Sequence, residues 1–134
     1  IRQSGLGDRV RWLGPVDPSE TDTLMRAARV YVLPAVDEVF PMSVLEALRA
    51  GTPTVVTNSL GIADDCREYG AAVVTDGSPQ SLADAVAGIL RDSTKAEKLR
   101  QGGAQYLREA LDIGKVAARL ERLYQSAMES GSRQ

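Results

Sequence analysis

A chain of 134 residues, 43 % hydrophobic and 25 % charged, has the composition of one globular domain with room for its own core. A formal net charge of -2 leaves no basic field for nucleic acid. The absence of histidine removes the commonest general base and zinc ligand, and the single cysteine, Cys66, excludes an intrachain disulfide and fits a reducing, cytoplasmic setting.

The first element, residues 10–13 (VRWL), reads as a short strand, with Trp12 as a core or strand-covering residue. Asp17, Pro18 and Glu20 form an N-cap, a first-turn proline and a capping-box acid, and open a helix that runs to about Ala28. Residues 30–33 (VYVL) are continuously apolar, as a buried parallel strand requires. A helix over 42–50 follows, with Pro41 in its first turn and Gly51 as its stop. Residues 54–57 (TVVT) are the next strand, 61–69 a short helix and 71–74 a further strand. Ser78 and Pro79 open a helix to about Arg91, and the chain turns helical again after Ser93. Ile113, Val116, Leu120, Leu123 and Tyr124 form a helical stripe, Cys66 is expected to be a small buried or half-buried side chain, and residues 130–134 read as a disordered tail. No internal repeat is present, no apolar run is long enough to span a bilayer, and the start at Ile1 without methionine reads as an excerpt of something longer.

Alternating strands and helices predict an α/β fold, a parallel sheet with crossover helices. Such sheets bind ligands where strands end and loops pass into helices. The segment DEVFPMSVLEALRAG, residues 37–51, leaves the end of the 30–33 strand in that way. Free amides of Met42, Ser43 and Val44 at the helix start suit a phosphate. Glu46 lies four residues beyond Met42, roughly 6 Å further along the axis. A nucleoside diphosphate has the matching shape, with its ribose hydroxyls on Glu46 and a sugar on the far phosphate near Glu38. The spacing equally allows Glu46 to pair with Arg49 on the surface and Glu38 to favour the helix dipole.

The run from Glu38 to Glu46 resembles the Glu-x7-Glu signature of family 4 retaining glycosyltransferases, set as there between a strand ending in proline (VYVLP) and EALRAGTPTVVT. VRWLG, NSLGIADD, SPQSLADAV and VAARLERLY are similar to further segments of that family, in order, over residues 8–125. The resemblance implies a Rossmann-like sheet, incomplete relative to a whole GT-B C-terminal domain, over residues 1–129. It implies Glu38 at the donor sugar, as the catalytic candidate, and Glu46 at the donor ribose. Phe40, Pro41 and Met42 would lie against the sugar, Ser43 and Val44 at the diphosphate, Gly61 in the donor loop and Val16 beside the base. The partners implied are a nucleotide-sugar donor and an acceptor hydroxyl, without nucleic acid. The absence of an Asp-x-Asp motif argues against a metal clamp, and no cofactor is expected. The whole protein would be a cytoplasmic hexosyltransferase, with peripheral contact to a membrane left open and the present residues inactive alone. A non-catalytic nucleotide-sugar-binding or interaction module is the alternative.

Departures from the family pattern bear on the site. Pro41 replaces the usual glycine after Phe40, Ala35 the serine after the strand proline, and Leu60 and Gly61 the paired glycines of the donor loop, with Asp64 for a glutamate. Two strand–helix units that open the family's domain are not in these residues. In a doubly wound sheet the absent strands are central, so the 10–13 and 30–33 strands are expected either to pair directly or to be bridged by a second copy in a homodimer.

Overall fold

The computed structural model describes residues 5–131. Three parallel strands, β1 (Tyr31–Leu33), β2 (Thr54–Thr57) and β3 (Ala72–Thr75), form one sheet in the order β1-β2-β3. Tyr31 stands opposite Thr54 across β1 and β2, and Thr54 opposite Ala72 across β2 and β3. Each strand is followed by helix, so the connections are the crossovers that parallel pairing demands.

The helices are α1 (Pro18–Ala27), α2 (Met42–Arg49), α3 (Ala63–Glu68), α4 (Pro79–Arg91), α5 (Ser93–Glu109) and α6 (Ile113–Gly131). Asp17 caps α1 by accepting from the Ser19 and Glu20 amides at 2.9 and 3.0 Å. Ser78 caps α4 through the Ser81 amide. Gly51 ends α2 at φ 74, its amide donating to the Leu48 carbonyl at 3.0 Å and the Thr52 amide to the Ala47 carbonyl at 2.9 Å, so these two carbonyls are used without a Cβ penalty.

Strand alternation divides the core between the two faces of the sheet. Val56 packs with Val44, Leu48, Cys66 and Tyr106 under α2, α3 and α5. Its neighbour Val55 points the other way, to Ala85, Ile89 and Leu99. Burial pushes the Cys66 thiol up to about 11, so it stays neutral and acts as a packing residue.

Two expectations fail here. Residues 10–13 are not a strand, and β1 pairs with β2 alone among the described residues. Apolar alternation marks a segment that suits a sheet, but a strand exists only when a neighbour takes its backbone groups, and none lies beside VRWL. Trp12 is accordingly 86 % exposed instead of covering the core. The two segments therefore do not pair directly. At the other end α6 runs through Gly131, so Ser130 and Gly131, expected in a disordered tail, are helical; residues 132–134 lie outside the described ones. The stripe on α6 is present, but Ile113, Leu120, Leu123 and Tyr124 remain exposed because the body does not cover that face.

Candidate functional site

The carboxyl ends of β1 and β2 carry two loops, residues 34–41 and 58–62, and α2 starts at their junction. Pro41, fully buried, is the N-cap of α2 at φ -76, one position earlier than a first-turn proline. Its extended ψ of 96 turns the chain into the helix and leaves its carbonyl to accept from the Val44 amide at 3.1 Å.

That bond changes the expected phosphate cradle. The Val44 amide is spent on Pro41 and the Val44 side chain is fully buried in the core, so Val44 supports the turn and does not face a ligand. The Met42 and Ser43 amides, the first two of the helix, have no intrahelical acceptor and point out of its positive end. Met42 and Phe40 expose 59 % and 50 % of their surface beside them.

Glu46 and Val16, thirty residues apart in sequence, line one cleft of about 210 Å³ with Pro18, Asp22, Met25 and Arg49. Arg49 does not pair with Glu46. Its Nη2 donates to Asp22 at 3.2 Å, and Arg26 Nε donates to the other Asp22 oxygen at 2.7 Å. The Glu46 carboxylate thus forms no salt bridge among the described residues and faces the cleft with its acceptor capacity intact.

One participant escaped the sequence reading. Burial pushes the Tyr31 phenol above its ordinary range, interaction with the Ser43 hydroxyl opposes this, and the negative fields of Glu38 and Glu46 add to it. The phenol on β1 thus feels the charge of both glutamates. The signal was in VYVL: alternation puts Tyr31 on the same side as Leu33, beneath α2.

The donor-loop glycine also has a different job from the one expected. Gly61 N–H donates to the Glu38 carbonyl at 3.0 Å, so that amide is already used inside the protein. Among the described residues no group of three His, Cys, Asp or Glu side chains is placed to hold a metal ion.

The site therefore offers two free amides at the α2 start, a carboxylate one turn on, and a cleft lined by Val16, Pro18 and Met25 as well as by Asp22 and Arg49. Residues 1–106 match the family model described as glycosyl transferases group 1. The chain belongs to the group 1 glycosyl transferases. It is 33 % identical over 131 residues to a phosphatidyl-myo-inositol mannosyltransferase of Mycobacterium leprae, covering 96 % of this chain and 35 % of that one. It is 30 % identical over 125 residues to a D-inositol 3-phosphate glycosyltransferase of Corynebacterium glutamicum, covering 92 % and 30 %. A sucrose-phosphate synthase from Thermosynechococcus elongatus superposes with a TM-score of 0.80 at 25 % identity, over 96 % of this chain and 33 % of that one. This glycosyl transferase chain thus spans about a third of the length of the relatives it matches. No helix among its described residues is long and apolar enough to cross a membrane.

Proposed function

We propose that this chain is the donor-binding part of a retaining glycosyltransferase that moves a sugar from a nucleoside diphosphate to an acceptor hydroxyl. The observation that carries the reading is the shared cleft of Val16 and Glu46, the latter one turn along α2 from the free first amides of that helix. The base lies against Val16, Pro18 and Met25, and the ribose hydroxyls donate to Glu46. The diphosphate accepts from the Met42 and Ser43 amides and the Ser43 hydroxyl, where the helix dipole offsets the charge of the leaving group. Phe40, Pro41 and Met42 border the sugar, and Glu38 faces its ring. A binding module without turnover would use the same nucleoside contacts, and transfer by the whole protein with several nucleotide sugars separates the two.

Glu46→Ala is expected to weaken nucleoside diphosphate binding by about 1–3 kcal/mol, the scale of a lost bond to a charged group, while folding changes little because the side chain is exposed to the cleft. Calorimetric titration of the whole protein checks this, and equal affinities for mutant and wild type refute the ribose assignment.

Charge compensation by the helix start leads to a second expectation. Transfer by the whole protein should persist in EDTA. Loss of activity on chelation, restored by magnesium or manganese, would mean that the diphosphate is held by an ion instead.

A further inference from the structure

The loops after β1 and β2 cross at one point, and Gly61 is there. Besides the amide bond to Glu38 carbonyl at 3.0 Å, the space where a Cβ on Gly61 would stand is occupied by the Val39 main chain. The carbonyl oxygen would be 2.1 Å from that Cβ, the carbonyl carbon 3.0 Å and Cα 3.2 Å. The demand for glycine is steric: Gly61 is absent from the glycines with positive φ. The obstructing atoms belong to backbone, so no rotamer change relieves them.

The loop after β1 is tied twice more, once by the end of β2 and once by the loop that follows it. Thr57 Oγ1 donates to the Ala35 carbonyl at 2.5 Å and Ser59 Oγ to the same oxygen at 3.1 Å. Between these anchors the 36–39 stretch has little else to hold it. Val36 and Val39 are 77 % and 80 % exposed, and Asp37 sits at φ 57, a left-handed value that a non-glycine residue keeps only when its surroundings impose it. Hydrogen bonds donated to the carbonyls of Ala35 and Glu38 by Thr57, Ser59 and Gly61, not side-chain packing, therefore decide where Glu38 stands.

We infer that Gly61 is a positioning residue that sets the Glu38 carboxylate against the donor sugar and does not itself hold the donor. The inference rests on the assignment of Glu38 to the sugar made above. A methyl group at position 61 must push the Glu38 loop by roughly 1 Å, a displacement that can lower turnover about 10²-fold when it falls on a group aimed at the reacting atoms. The nucleoside contacts at Val16 and Glu46 belong to other elements and stay in place.

The test uses the whole protein with its nucleotide-sugar donor. Gly61→Ala should reduce kcat about 10²-fold, while affinities for GDP, UDP and ADP, titrated alone, stay within roughly twofold of wild type. In a double-mutant cycle with Glu38→Gln, the double variant should be no slower than the slower single one, since both act on one carboxylate. Wild-type turnover of Gly61→Ala, an equal loss of nucleoside diphosphate binding, or additive effects in the cycle would overturn the inference. Should Gly61→Ala not fold, Ser59→Ala decides, because it removes an anchor of the same loop without adding atoms. It should lower kcat about three- to tenfold with nucleoside diphosphate binding retained, the loss of a single hydrogen bond, and unchanged kcat would overturn the inference. Full activity of Glu38→Gln would bring down the reading beneath it, and the inference with it.

Discussion

Replacing Glu38 by glutamine is expected to lower kcat of the whole protein roughly 10²-fold or more, the usual effect of removing one preorganised electrostatic group. The change keeps the volume and shape of the side chain and removes its charge. As the bond to the leaving phosphate breaks, positive charge grows on the anomeric carbon and ring oxygen of the sugar, as in glycoside cleavage generally. A carboxylate at the ring stabilises that charge in the transition state more than in the ground state, which is the condition for raising kcat. KM for the donor should move much less, because the reading proposed above assigns the nucleoside to the Val16 and Glu46 cleft and not to Glu38. Steady-state kinetics over a range of donor concentrations separate the two constants. An unchanged kcat with a raised KM would reduce Glu38 to a sugar-binding group.

The largest expected effect on stability is at Gly102, inside α5. Helix propensity alone favours alanine there by about 1 kcal/mol. Packing reverses the sign. A Cβ at Gly102 would meet the carbonyl oxygens of Gly70 and Tyr69 at 2.3 and 2.4 Å, in the backbone of the turn between α3 and β3. To admit it, α5 must move off that turn and loosen Tyr106, fully buried one turn on, whose hydroxyl donates to Asp65 Oδ2 at 3.0 Å. Overpacking costs about 1–3 kcal/mol where neighbours can adjust and more where they are main chain. Gly102→Ala should therefore destabilise by about 3 kcal/mol net and lower the melting temperature by roughly 10 °C. Gly103→Ala is the control, since its Cβ would meet the Leu48 side chain and no backbone, with Cδ2 nearest at 3.0 Å. It is expected near neutral. Thermal unfolding followed by circular dichroism reads both, and an unchanged or raised melting temperature for Gly102→Ala would show that the turn gives way easily.

Neither glycine's requirement is visible in the sequence. Gly102 and Gly103 are adjacent in one helix and look alike, yet one faces backbone and the other a side chain. Gly61 resembled a ligand-binding glycine because family motifs place it in a donor loop. Its amide and its missing Cβ are both taken up by residues 38 and 39, and only the crossing of two loops reveals that.

What the amino-acid sequence determined by itself is local. Asp17 and Pro18 start α1, Gly51 stops α2 through its left-handed backbone, and the runs VYVL and TVVT make parallel strands, TVVT buried and VYVL half-buried, because caps, φ preferences and side-chain periodicity act over a few residues. The Glu38 to Glu46 spacing and the helix start between them were legible for the same reason. Tertiary structure decided everything that depends on a distant partner. It left VRWL as exposed coil because a strand needs a neighbour to take its hydrogen bonds, and it turned Arg49 away from Glu46 by offering Asp22 from α1. It spent the Val44 amide on Pro41, set the Tyr31 phenol in the field of both glutamates, and brought Val16 to Glu46. Hydrogen bonds and close contacts between residues far apart in the chain are set by how the elements pack, and spacing along the chain carries no measure of that.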